Sequence, residues 1–112
     1  MVARTLRRSP APAFVEAYNL PGAQRIRQEV PDLPLAVVGG MRSRAGMEEC
    51  LSSGATDLVS LSRPLVREPG LVRRFREGRA TVSSCISCTR CLAGSYNGLP
   101  LACYVRGLPL KK

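Results

Sequence analysis

Two hydrophobic patterns alternate along the chain, one with helical spacing and one of short unbroken apolar runs. Ala23, Ile26 and Val30 fall at helical intervals. Asn19 supplies an N-cap, Pro21 a first-turn proline and Pro31 a stop, which predicts a helix over 20–30. Leu35-Ala36-Val37-Val38 follows, an unbroken apolar run set between Pro34 and Gly39-Gly40. Such a run suits a strand buried on both faces, as in a parallel sheet. Ser43 caps a second predicted helix, with Met47, Cys50 and Leu51 on its inner face and Gly54 as its stop. Asp57 leads into a second short strand, Leu58-Val59-Ser60-Leu61. Pro69 opens a third helix whose inner face carries Leu71, Val72 and Phe75, and Gly78 ends it. Beyond Arg79 the chain reads as a loop-rich, cysteine-bearing tail, with turn signals at Gly94, Asn97-Gly98 and Pro100.

Strands alternating with helices imply an α/β fold with βαβ units and a parallel sheet. Two parallel strands do not make a stable sheet alone, because three or more strands or further layers are needed. Both runs are apolar on both faces and would leave edges unpaired. The chain is therefore expected to be a slice of a larger α/β domain, either a fragment or a piece that other chains complete. It divides into a disordered or arbitrary start (1–15), an α/β segment (16–80) and a Cys-rich tail (81–112).

Composition narrows the function. At 112 residues there is room for one small domain. An apolar share of 45% argues against wholesale disorder, while 4% aromatics and no Trp leave a thin core of Leu, Val and Ala. Every unbroken apolar run is far below the roughly 20 residues of a spanning helix. The absence of histidine excludes His general-base chemistry and His-ligated zinc. The start carries Arg4, Arg7 and Arg8 without an apolar core, so no secretory signal is expected; its Arg-rich, acid-free composition resembles a transit peptide only weakly. A cytoplasmic protein is expected. The net charge is +9, and fifteen of the seventeen basic residues are Arg, densest over 63–79. Such charge attracts phosphates or nucleic acid, although a solvated helix face is the plainer account.

Two strand ends carry candidate chemistry. Gly39, Gly40 and Met41 lie where the first strand turns toward a helix. Glycine lets bare N–H groups approach a phosphate, although it also serves as a plain structural turn. Ser62 and Arg63 end the second strand, a hydroxyl donor followed by a charged fork suited to phosphate. The alternative for Arg63 is an ion pair with Asp57. Adjacent strand ends of this kind match the phosphate site after strands 7 and 8 of a (β/α)8 barrel.

Cys85, Cys88, Cys91 and Cys103 follow a C-x2-C-x2-C-x11-C spacing. Clustered cysteines without an export signal read as a soft-metal site before a disulfide framework. An iron–sulfur cluster, zinc and simple structural thiols remain open for them. Cys50, on an apolar helix face, is expected to be a buried core thiol.

The chain resembles a known family in four stretches: Glu16-Ala17-Tyr18-Asn19-Leu20, Leu35 to Ser43, Ala55 to Pro69, and Cys85-Ile86-Ser87-Cys88-Thr89-Arg90-Cys91-Leu92. Together they are similar to the C-terminal end of the FMN-binding barrel of the NADH:flavin oxidoreductase, or Old Yellow Enzyme, family. The resemblance covers residues 16–105. It implies a partial (β/α)8 TIM barrel, with the two strands as its seventh and eighth, and an irregular Cys-rich tail. It implies that Gly39, Gly40, Met41, Ser62 and Arg63 hold the FMN phosphate; Ser62 stands where much of the family has glycine. A whole enzyme of this kind takes hydride from NAD(P)H onto FMN and passes it to an electrophilic small molecule such as an activated alkene. The family's flavin-stacking, substrate-binding and proton-donating positions match nothing in this chain, and Tyr18, Tyr96 and Tyr104 read as packing or tail residues. No catalytic residue is therefore expected here, and flavin affinity of the isolated chain is expected to be weak or absent.

In the dienoyl-CoA reductase and trimethylamine dehydrogenase branch a similar tail binds a [4Fe–4S] cluster. That branch has three residues between its second and third cysteines, where this chain has Thr89 and Arg90. The reading is a C-terminal fragment of an FMN-dependent oxidoreductase, or a split subunit that a complementing barrel chain completes. The alternative is a small basic zinc-binding nucleic-acid module, against which the scarcity of aromatics for base stacking counts.

Overall fold

The computed structural model describes residues 13–107. Most of the expected arbitrary start, residues 1–12, and the final residues 108–112 lie outside the described residues. Helix α1 (Leu20–Glu29) begins with proline in its first turn, as its sequence predicts, but Asn19 does not cap it through its side chain. The Asn19 amide instead donates to the Val38 carbonyl at 2.6 Å, which ties the helix entry to the end of the first strand. Strands β1 (Ala36–Val38) and β2 (Leu58–Ser60) pair in parallel, Ala36 opposite Leu58 and Val38 opposite Ser60. Helix α2 (Arg44–Ser52) makes the crossover between them. Ser43 caps it as expected, its hydroxyl accepting from the Gly46 N–H at 3.0 Å.

The core lies on one side of this sheet. Val37, Met41 and Cys50 are buried together, with Leu20, Met47 and Val59 packed against them. The strands were expected to be covered on both faces, and within the described residues they are not. Val37 is 3% exposed, whereas Val38 is 47% and Leu58 66% exposed. Successive strand residues point to opposite faces, so a single covering layer leaves alternate apolar residues in water. Leu51 and Val72, expected to face inward, are likewise exposed. Each sits about 100° around its helix from a buried neighbour, Cys50 or Leu71, and these short helices bury only a narrow stripe.

Three short helices complete the chain: α3 (Arg63–Arg67), α4 (Leu71–Arg76) and α5 (Arg90–Tyr96). Helix α4 forms where predicted, with Leu71 and Phe75 buried but Val72 exposed. Helix α3 was not anticipated, although Pro64 in its first turn is a start signal. Helix α5 occupies part of the expected loop-rich tail. Gly94, read as a turn, is buried inside it, and Gly98 is the true stop. The Gly98 N–H returns to Ser95 O and the Leu99 N–H to Gly94 O, a Schellman closure that Gly98 permits at φ +76°.

Residues 81–83 run back along the turn after β1. Val82 bridges Ser43 in antiparallel fashion, the Arg44 N–H donates to Thr81 O at 2.9 Å, and the Ser83 N–H donates to Arg42 O at 2.8 Å. Among the described residues the sheet has two strands and does not close into a barrel. No helix among them is long and apolar enough to cross a membrane.

Candidate functional site

The parallel register sets both strand ends on the same side of the sheet. Gly39, Gly40, Met41, Ser62 and Arg63 all line one open pocket of about 340 Å³, joined by Arg42 and Tyr18. The sequence-predicted phosphate residues are thus brought together. The alternative account of Arg63 does not hold: Asp57 pairs with Arg27 at 2.6 Å, and among the described residues Arg63 has no carboxylate partner. Arg42, which also lines the pocket, stacks over the Phe14 ring at 4.7 Å, and its buried Nε has no hydrogen-bond partner. The pocket therefore carries two guanidinium groups and no acidic side chain in its lining, which fits an anionic group such as a phosphate.

The two glycines have a structural reason besides the pocket. Gly39 and Gly40 hold φ at +127° and +69°, a region that side-chain-bearing residues rarely adopt. A Cβ on Gly39 would lie 2.6 Å from Asn19 Nδ2, and one on Gly40 would lie 2.8 Å from Val15 O. The convergence of the two strand ends, and not the glycines alone, is what suits the pocket to an anion.

Sequence reasoning missed what holds this turn. The Glu16 carboxylate accepts the Arg42 N–H at 2.8 Å, the Ser43 N–H at 2.5 Å and the Ser43 hydroxyl at 3.0 Å. Burial disfavours the Glu16 charge, but the Ser43 and Arg42 N–H groups, the Ser43 hydroxyl and the Arg42 charge outweigh it and hold the carboxyl below its usual value. No local spacing could reveal a contact spanning 26 residues. Tyr18, read as a packing residue, stands against both glycines and also lines the pocket.

The tail forms a second site. Cys85, Cys88, Cys91 and Cys103 all line a narrow cavity of about 20 Å³, which shares Arg63 and Ser87 with the phosphate pocket. Arg67 donates to Cys103 Sγ at 3.3 Å and to Ser84 Oγ at 2.7 Å. The Arg67 hydrogen bond, a backbone N–H from Val105 and the Arg67 charge hold the Cys103 thiol below its usual pKa. Glu68 secures the stretch before Cys85, accepting from Ser83 Oγ at 2.7 Å, Ser84 N–H at 2.8 Å and Arg74 at 2.6 Å. Four thiols around one cavity suit a soft metal in donor chemistry. Their positions do not close around one: no group of three or more His, Cys, Asp or Glu among the described residues is set to hold a metal ion. Cys50 is 1% exposed, the core thiol its helix position predicts.

No family model and no solved structure matches the chain. Several curated proteins do. A 4,4'-dithiodibutanoate disulfide reductase of Rhodococcus erythropolis is 33% identical over 97 residues, covering 87% of this chain and 23% of that protein. An NADH-dependent flavin oxidoreductase of Neonectria sp. (strain DH2) is 47% identical over 58 residues, covering 52% of this chain and 8% of the relative. An NADH oxidase of Thermoanaerobacter brockii is 30% identical over 95 residues, covering 82% of this chain and 14% of the relative. The chain is thus a relative of NADH-dependent flavin oxidoreductases and of a disulfide reductase, and it spans less than a quarter of the length of each of these proteins.

Proposed function

We propose that the chain forms part of an FMN-dependent NAD(P)H oxidoreductase of the ene-reductase type, in which β1 and β2 are the seventh and eighth strands of a (β/α)8 barrel. The observation that carries this reading is the meeting of Gly39-Gly40-Met41 with Ser62-Arg63 in one pocket, at the same end of two paired parallel strands. In this reading the backbone N–H groups of the 39–41 turn and the Ser62 hydroxyl donate to the FMN phosphate, and Arg63 supplies a bidentate positive charge. Bound FMN would supply hydride transfer between NAD(P)H and an electrophilic small-molecule substrate. The residues of this chain bind and orient the phosphate end of that cofactor.

The bare apolar faces support a partner. Val38 and Leu58 are exposed and the sheet has two free edges among the described residues. Further parallel strands, from a complementing barrel chain or segment, would cover both. For the tail, the reading assigns Cys85, Cys88, Cys91 and Cys103 to a [4Fe–4S] cluster on their spacing and their shared cavity; the thiols do not close around a metal as they stand and would have to rearrange to hold it.

An anaerobic UV–visible spectrum of the purified chain, with flavin, iron, sulfide and zinc assays, tests both halves. FMN that is retained by the wild type, alone or with a complementing chain, and lost from Arg63→Ala is the expected result for the pocket. Iron and sulfide in near-stoichiometric amounts is the expected result for the tail. Zinc alone, with salt-sensitive nucleic-acid binding and no flavin, would overturn the reading in favour of a small basic zinc module.

A further inference from the structure

We infer that Glu16 is a positioning residue for the phosphate pocket, a carboxylate clasp that fixes the 39–43 turn in its ligand-binding shape. The inference rests on the phosphate reading above. Glu16 lies outside the pocket lining, so it acts through the backbone it holds.

Three fasteners meet on this turn, and they differ in kind. Asn19 anchors its beginning at Val38 O. Ser83 anchors its end by donating its N–H to Arg42 O. Glu16 alone takes two consecutive backbone donors, Arg42 N–H and Ser43 N–H, and the Ser43 hydroxyl as well. A charged acceptor makes such bonds about twice as strong as neutral ones. Ser43 Oγ is thereby committed in two directions, donating to Glu16 and accepting the Gly46 N–H as the cap of α2. The clasp therefore sets where α2 begins and where Gly39-Gly40-Met41 comes to rest.

The arrangement also decides the polarity of the pocket. Two N–H groups beyond Met41 are turned toward Glu16, and Arg42, which lines the pocket, lays its guanidinium over Phe14. Because Glu16 spends its negative charge on these donors, it stays outside the pocket while holding Arg42 at its edge. Without the carboxylate, the two N–H groups would seek water or another acceptor, and the turn would gain alternative conformations.

The test compares wild type with Glu16→Gln, which keeps one acceptor but loses the charge and the second acceptor. Amide NMR shifts of the full chain would be followed during titration with FMN and, separately, with riboflavin, which lacks the phosphate. Amide hydrogen exchange would be measured on the same samples. The expected result is a wild type that shifts the Gly39 to Ser43 amides with FMN more than with riboflavin. In the variant, FMN affinity falls about tenfold, riboflavin response is unchanged, and exchange at Arg42 and Ser43 speeds up while that at Leu71 does not. Wild-type preference for FMN retained in full by Glu16→Gln would overturn the role of Glu16. A wild type with no preference for FMN over riboflavin, alone and with a complementing barrel chain, would overturn the phosphate reading, and the exchange data would still report whether Glu16 fastens the turn. Should Glu16→Gln fail to fold, Glu16→Asp, which keeps the charge at shorter reach, is expected to give the same selective loss in milder form, and its absence there would overturn the inference.

Discussion

The turn after β1 and the cysteine tail are neighbours that share Arg63 and Ser87, yet they reach their shapes by different means. The turn is held from outside by Glu16, Asn19 and Ser83, and its positive φ angles fall on glycines, where they cost little. The tail hangs from Glu68 and Arg67 at one end and carries its left-handed angles on Ser87 and Thr89, which flank Cys88. A β-branched residue at φ +60° is strained unless something fixes it. The turn is thus fixed by the protein's own hydrogen bonds, whereas the tail has clustered thiols and little packed core of its own.

The sharpest way to break the comparison is at the turn. Gly40→Ala is expected to destabilise the fold by about 2–4 kcal/mol, since it adds backbone strain and a contact against Val15 O. Gly54→Ala has the same sign of φ but open space around it, and should cost only about 1 kcal/mol. Thermal melts of both variants would check the difference; equal losses would mean that the segment before α1 does not press on the turn.

At the tail, Glu68→Gln removes a charged acceptor from Ser83, Ser84 and Arg74. A loss of about 1–3 kcal/mol is expected, with proteolysis appearing first after Arg79 and the turn still protected. Cleavage spread evenly over the chain would show instead that the two regions unfold as one.

Acid should weaken both regions together. In Glu68, as in Glu16, burial opposes the charge, but the hydrogen bonds outweigh it and the carboxyl is held below its usual value. Such groups contribute stability that is complete above the ordinary carboxylate range, about 4.3, and is lost as pH falls through their lowered values. Unfolding monitored from pH 7 downward should therefore show a flat stretch and then a decline beginning near pH 5. In Glu16→Gln the decline should be shallower.

The smallest effect is expected at Thr89→Gly. Relief of a left-handed threonine should stabilise the metal-free chain by up to about 1 kcal/mol. A destabilised variant would show that the Thr89 side chain contributes more than its backbone strain costs.

Much of the α/β segment was legible because its signals are local. The Leu35 to Val38 run, the Ser43 cap and the inward spacing of Leu71 and Phe75 each lie within a few residues of the element they specify. The five pocket residues were legible as strand ends, and pairing in register brings them together. Helix α5 was missed because a glycine inside a helix and a glycine ending one look alike until burial separates Gly94 from Gly98. Asn19 fits the pattern of a helix cap, but the Val38 carbonyl, 19 residues away, claims its amide. Glu16 carries no local signal, since its partners belong to a turn that exists only after the sheet has formed.

Whether the two strand ends hold the phosphate of FMN can be read from phosphorus-31 NMR of FMN titrated with the full chain. The expected result is a shifted or broadened phosphate resonance that inorganic phosphate reverses and riboflavin does not, and that Arg63→Ala abolishes. A phosphate resonance unchanged by the wild-type chain, alone and with a complementing barrel chain, would overturn the phosphate site.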